Sequence, residues 1–308
     1  MKSAINPPGF RPLLAGLLGG LLLSGRLMAQ TAAEPAAVVP PAALDARHGL
    51  LWQIDTPGGV TSHLFGTIHL GDPLVSQLPS PVQRVFDDAE QLVVEVVTRP
   101  GDYLEVARRM ALTGNERLPD LIGQSLYARV LHAAHGRDID QQLLRLKPWA
   151  VATLLFTPRP SGRPVLDQQL ALDARAVGKP VVGLETLEEQ IAVFDDMALE
   201  QQVEFLHESV LASLEFDVYL GELLVAYMNR NLDQLVRLSG LHLAQRPRLK
   251  KILQGRLLDD RNNRMVERLL PILQSGNAFV AVGALHLPGQ LGLLQQLQDR
   301  GYRVTKRY

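Results

Sequence analysis

The 308-residue sequence contains no cysteine. That absence removes a disulfide framework, a thiolate zinc site, an iron–sulfur cluster, a cysteine nucleophile and a lipidated amino-terminal cysteine. Any metal must therefore be held by histidine and carboxylates. Charge of one sign is missing too: 31 Lys and Arg face 32 Asp and Glu, a net charge of −1 with no basic block, so no nucleic-acid partner is expected. Aromatic residues make up only 5%, which speaks against the dense ring lining of a porphyrin site. The 20 Pro and 25 Gly are too few and too scattered for a disordered or collagenous chain. No G-x-x-x-x-G-K-[ST] or G-x-G-x-x-G occurs, so nucleotide use is not expected, and no G-x-S-x-G elbow supplies a serine nucleophile.

What is present begins with an export signal. Lys2 and Arg11 flank the start of an apolar run from Leu13 to Leu23, and Leu27-Met28-Ala29 ends on a small residue suited to cleavage, so residues 1–29 read as a signal peptide. A membrane helix wants about 20 apolar residues. This run is shorter and no second one follows, so the cleaved chain is expected to have no stable span and to be periplasmic or secreted, with an uncleaved anchor as the alternative. Removal of residues 1–29 takes away three bases and no acid, leaving 28 bases against 32 acids. Residues 30–46 are rich in Ala and Pro and read as a flexible tether, and residues 47–308 as a single domain.

Within that domain strand and helix signals alternate. Leu50–Ile54 and Ser62–His69 flank Thr56-Pro57-Gly58-Gly59 and predict a β-hairpin. A helix is predicted over Val82–Glu90, with Ser80 as its N-cap and Pro81 at its first position, then a buried strand over Leu92–Val97. Residues 102–177 read as a large helical insertion broken by a Pro/Gly-rich loop at 157–164, with Leu166–Val177 its last helix and Asp167 at that helix's N-cap. A strand over Val181–Leu184 and a helix over Leu187–Asp195 follow, then a long amphipathic helical stretch over Met197–Gln245. The chain closes with a helix over Asp259–Gln274, a strand over Ala278–Val282, a helix over Gln290–Arg300 and a short strand over Tyr302–Lys306. The expected fold is α/β (α+β): a central mixed sheet with strands from both ends of the chain, flanked by helices.

One echo organises the chemistry. Gly66-Thr67-Ile68-His69-Leu70 and Gly283-Ala284-Leu285-His286-Leu287 each end a strand with G-x-x-H-L. Side chains at the carboxyl ends of strands face the crevice where an α/β sheet binds ligands, and a glycine three residues before the histidine allows close approach. Carboxylates occupy matching places: Glu95 lies inside an apolar strand, where an unpaired charge is costly, and Glu185 follows a strand directly. Two imidazoles and two carboxylates without sulfur suit a divalent ion such as Mn, Co or Zn.

The sequence resembles the TraB/GumN (TraB/PrgY/GumN) family, to which the Tiki proteases belong and which is distantly similar to erythromycin esterase and the haem-binding lipoprotein ChaN. The matching pieces are LLWQI at 50–54, LFGTIHLGD at 64–72, LVVEV at 92–96, Leu166-Asp167 with GKPVVGLETLEEQ at 178–190, Asp260-Arg261-Asn262 with Met265, and VAVGALHLPGQLGLLQQLQDRGYRV at 280–304. The resemblance implies an α/β core with a helical insertion, an active centre built on His69, His286 and Glu95, and, in the Tiki branch, metal-dependent peptidase activity.

A divalent ion on His69, His286 and Glu95 would lower the pKa of a bound water to about 7. Glu185 then serves as general base or further ligand, with the two glutamates free to trade roles, and Arg261 and Asn262 are candidates to steady an oxyanion. Asp167 takes a supporting part. His132 and His135, at i, i+3, read as surface positions, His63 as a rim residue on the same strand face as His69, and His207 and His242 as partly solvated. Three functions follow: an exported metal-dependent hydrolase acting on a peptide or small molecule, a ligand- or haem-binding protein without turnover, and a metal-free esterase-like hydrolase with His69 as general base oriented by a glutamate.

Overall fold

Leu51–Asp55 (β1) and Thr61–Thr67 (β2) form the predicted antiparallel hairpin in a computed structural model that describes residues 45–99, 101–136, 140–158, 162–241 and 243–308. The expected signal peptide, most of the tether and His242 lie outside the described residues. Gly59 closes the turn at φ 82°, a conformation glycine adopts without penalty, while Val60 N–H donates to Thr56 Oγ1 at 3.0 Å.

Gln91–Val96 (β3), Val181–Glu185 (β4), Ala278–Gly283 (β5) and Arg303–Lys306 (β6) complete one sheet in the order β4-β3-β5-β2-β1-β6. The four strands from β4 to β2 run parallel, and β1 and β6 are added antiparallel at one edge. The inner residues of β3 and β5 are buried, as their continuous apolar runs require of strands covered on both faces. Strands from both ends of the chain meet at the β2–β5 pair, where Thr67 lies opposite Gly283.

Helices fill both long connections. Between β3 and β4 they include Asp102–Met110, Gln124–Ala134, Pro148–Leu155 and Leu166–Ala176. The helical mass continues after β4 from Leu187 to Ser275, where helices over 187–195, 197–245 and 259–274 are expected. Trp149, Phe194 and Phe205 stack in succession at centroid distances of 5.9 and 5.8 Å and tie the two helical runs together. No helix among the described residues is long and apolar enough to cross a membrane.

Two helix starts differ from expectation. Pro79, not Ser80, holds the N-cap position of Ser80–Asp88, because its extended backbone already precedes the first turn and no side chain caps it. Val165, not Asp167, precedes Leu166–Ala176. Asp167 sits inside the first turn, and its carboxylate is turned toward the sheet instead of onto backbone N–H groups.

Candidate active site

The strand order places the chemistry. β4, β3, β5 and β2 are neighbours with their carboxyl ends on one side, and they carry in turn Glu185, Glu95, Gly283 with His286 three residues on, and Thr67 with His69 two residues on. This is where an open parallel sheet offers a crevice. β2 stops at Thr67, so His69 stands on the following turn and the even spacing from His63 does not put the two on one face. His63 pairs with Gln53 and Phe279 near the opposite end of the strand, away from the cluster.

The acidic side is neutralised by one guanidinium. Arg261 Nη2 donates to Glu95 Oε2 at 2.5 Å and to Glu185 Oε2 at 2.6 Å, Nε donates to Glu185 Oε2 at 2.9 Å, and Nη1 donates to Leu257 O at 3.2 Å. Arg264 Nη2 adds a bond to Glu185 Oε1 at 3.2 Å, and Gln190 Nε2 bridges Glu185 Oε2 and Glu95 Oε2 at 3.2 and 3.4 Å. Arg261, Glu95 and Glu185 side chains are at most 4% exposed, so each charge depends on the others. Burial works to raise the Glu95 pKa, but Arg261, the two histidines and Gly283 N–H, 2.6 Å from Oε1, outweigh it and hold it at about 2. The same pair of carboxylates raises the Arg261 pKa against its burial. Five residues of π-helix, Gly255–Asp259, lead into Asp260–Ser275 and bring Arg261 and Asn262 to its buried face beside Met265 and Val266.

Each histidine is oriented from behind. His286 Nδ1 lies 2.6 Å from Asn262 Oδ1, and Asn262 Nδ2 donates to Leu291 O at 2.9 Å. The carbonyl of Leu291 can only accept, which fixes the amide orientation; Asn262 Oδ1 must therefore accept from His286 Nδ1–H, leaving the Nε2 lone pair directed into the site. Burial pushes the His286 pKa down to about 4 in spite of Glu95, so the ring is neutral at pH 7. His69 Nδ1 instead lies 2.8 Å from Asp167 Oδ2, close as an ion pair but out of line for a hydrogen bond, while Asp167 Oδ1 accepts from Thr67 Oγ1 at 2.5 Å. Burial opposes charge on His69 as well, but Asp167 and Glu95 prevail and raise its pKa.

The rings and Glu95 converge on Gly283. A β-carbon there would lie 3.2 Å from Glu95 Oε1, 3.5 Å from His286 Cδ2 and 3.6 Å from His69 Nε2. Gly66 serves the other approach: its missing β-carbon would lie 3.0 Å from Ala284 Cα and 2.8 Å from Leu287 Cδ1, so the second G-x-x-H segment packs on the first because Gly66 has no side chain. Among the described residues no group of three or more His, Asp or Glu side chains is arranged to hold a metal ion. By chemical type alone, two imidazoles and a carboxylate are donors that a divalent ion accepts. His286 Nε2 and Glu95 Oε1 are 3.7 Å apart, slightly wider than the roughly 3.0–3.6 Å at which two ligands about 2.1 Å from one ion stand, so the two must draw together to share an ion.

Both histidines open onto a cavity of about 140 Å³. Phe156, Phe205, Phe216, Tyr219 and Tyr227 line it, so rings that are few in the chain as a whole gather here. Asp167 and Gln190 were the partners that motif reading undervalued. Asp167 was assigned a cap, and Gln190 carries no signal beyond its helical spacing from Glu185. Thr186 caps Leu187–Asp195 in a reciprocal box with Glu189, and this sets Gln190 one turn beyond Thr186, where its amide reaches Glu185. His132 and His135 are exposed, and His207 is half-buried, between Arg129 and Glu208.

The model of the TraB/PrgY/gumN family matches residues 50–306. Metalloprotease TIKI2 of Danio rerio is 26% identical over 313 residues, 83% of this chain and 60% of the relative. Metalloprotease TIKI1 of the same fish is 25% identical over 315 residues, with 83% and 63% covered, so this chain spans about three fifths of the Tiki relatives. An uncharacterized protein YbaP of Escherichia coli (strain K12) is 26% identical over 251 residues, 80% of this chain and 90% of its own.

Proposed function

The chain belongs to the TraB/PrgY/gumN family, and from that premise we propose that it is an exported metal-dependent hydrolase that cleaves peptides. The observation that carries the reading is the convergence of His69, His286 and Glu95 on the one position where Gly283 leaves room. His69 and His286 would hold the ion through their Nε2 atoms and Glu95 through Oε1, and the bound ion would supply a water of lowered pKa and a polarised carbonyl. Asp167 and Asn262 act as positioning residues, each occupying the Nδ1 side of one ring. Arg261 balances Glu95 and is anchored in turn by Glu185, whose two oxygens both accept from guanidinium groups. We therefore assign Glu185 to anchoring Arg261, and Arg261 and Asn262 to building the site rather than to steadying an oxyanion. The similarity to the Tiki metalloproteases supports hydrolysis, and the apolar run of residues 13–23 supports export.

The test is metal bound per chain after stripping and separate reloading with Mn²⁺, Co²⁺ and Zn²⁺. Near one ion per wild-type chain, lost in both His69→Ala and His286→Ala, is expected; no tight binding to wild type sinks the reading. One observation favours a second reading. The His69–Asp167 ion pair at 2.8 Å puts a carboxylate beside Nδ1, the partner a general-base dyad requires once the two come into line, with Asp167 in the place given above to a glutamate. Turnover that survives chelation and falls in Asp167→Asn would select it.

A further inference from the structure

The cavity beside the histidines has walls of unequal kind. Gly283, His69 and His286 close one side, and the helical run from Phe205 to Leu258 supplies most of the rest. Apart from the Nε2 atoms of the two histidines, the polar side chains of Ser209, Ser239, Tyr227 and Thr67 on these walls are engaged within the protein. Ser209 Oγ donates to Phe205 O at 2.8 Å, Ser239 Oγ to Val236 O at 2.7 Å and Tyr227 OH to Gly66 O at 2.9 Å. Thr67 Oγ1 is spent on Asp167. Glu208, the single carboxylate among the lining residues, is 8% exposed, and its Oε1 accepts from Arg246 Nε at 2.9 Å and lies 3.0 Å from His207 Nδ1. Away from the two histidines, a charged or hydrogen-bonding occupant would give up water and find few partners in exchange. Size narrows the choice further. The space is about 140 Å³, and an apolar cavity of about 150 Å³ is enough to stay dry and take up benzene, whereas drug-sized ligands need roughly 300 Å³ or more.

We propose that this cavity is a specificity pocket for one neutral apolar group of about four to seven carbons, the leucine- to phenylalanine-sized side chain next to the bond that is cleaved. The proposal rests on the hydrolase reading for the words "bond that is cleaved", and on the cavity alone for the class of group it takes. Because a methylene lost from an apolar pocket costs on the order of 10–200-fold in kcat/KM, a peptide bearing Ala at that position should be cleaved at least a hundredfold less efficiently than one bearing Phe or Leu.

The deciding experiment uses the metal-stripped protein and three probes of one shape. Benzene, benzoate and benzylamine are titrated while backbone amide shifts of Leu223, Tyr227 and Leu285 are followed. Saturable shifts with benzene, at least tenfold weaker binding of benzoate and benzylamine, and loss of benzene binding in Leu220→Trp with metal stoichiometry kept are the expected results. Leu220 is half-buried, so the larger ring can fill the pocket from its edge; Leu223→Ala, expected to enlarge the pocket and admit toluene better than benzene, tests the same point if the first variant does not fold. Equal binding of the charged probes, or no binding of benzene, overturns the proposal. Benzene binding with no cleavage anywhere in a peptide library sinks the hydrolase reading and leaves the ligand class supported. Cleavage that is indifferent to Phe, Leu or Ala at every position overturns the proposal and leaves the hydrolase standing.

Discussion

The two G-x-x-H segments repeat one sequence pattern and end in histidines of opposite character. Behind His69 stands a carboxylate, and its proton is held more tightly than in a free imidazole; behind His286 stands an amide, and burial drives its pKa down to about 4. Glu95 lies between them and is itself kept anionic by Arg261. A sequence repeat thus fixes where the rings sit, while partners drawn from two unrelated helices fix how they titrate. An ion binding both rings must displace a more tightly held proton from His69 than from His286.

The largest way to break this comparison is to remove the cation that both rings share through Glu95. Arg261→Met leaves two buried carboxylates facing each other with one partly exposed arginine to serve them, and should cost about 3–5 kcal/mol in urea unfolding. A loss below about 1 kcal/mol would mean that Arg264 alone balances the pair.

The second way is acid. His286 in the metal-free fold has a pKa of about 4 against about 6.5 unfolded, so the unfolded chain takes up a proton first as pH falls. Its stabilising effect is complete above pH 6.5 and is lost between 6.5 and 4, by on the order of 3 kcal/mol. His69 has the opposite sign: its folded pKa is raised, so its contribution is complete below pH 6.5 and fades as pH rises through the folded value. Histidine ring-proton NMR titration of stripped protein, checked against unfolding at pH 4.5 and 7, should show one ring titrating well below and one above the ordinary value. Asn262→Asp should move His286 toward His69, since a carboxylate would then stand behind both rings.

Third, Asp167→Asn makes the two rings alike by giving each an amide. It should lower the His69 pKa and weaken metal binding by about 10–100-fold, with the fold intact; unchanged affinity would show that Asp167 does not set the His69 tautomer.

How much of this was legible follows the same division. β1 to β6 were readable because apolar runs between Gly and Pro turns leave few other assignments, and the convergence of His69, His286 and Glu95 follows once β3, β5 and β2 are neighbours. The burial of Glu95 was legible from its apolar strand, but not that Glu185 shares its arginine, because the partner lies on a helix 76 residues from Glu185. Asp167 was misplaced as a cap, since an acid in a first helical turn has a sufficient local explanation, and nothing local reports that the turn faces β2. The cavity was the least legible part. Its rings come from residues 156–227 on several helices with no motif, and average composition conceals that they gather.

The smallest expected effect separates the two glycines. At Gly66 an added methyl would meet Ala284 Cα at 3.0 Å, a backbone atom that can move only with its whole turn, so Gly66→Ala should cost about 2–3 kcal/mol. At Gly283 the nearest atoms are ends of side chains, with Glu95 Oε1 at 3.2 Å, and φ of −52° is open to any residue. Glu95 need withdraw only a few tenths of an ångström, so Gly283→Ala should cost about 1 kcal/mol of stability. The same small shift loosens the 2.6 Å bond from Gly283 N–H and fills the point where both rings converge, so metal affinity should fall while unfolding is little changed. Calorimetric metal titration beside urea unfolding checks both. If Gly283→Ala keeps full affinity, the space at Gly283 serves only the packing of β5, and the rings do not meet a common ion there.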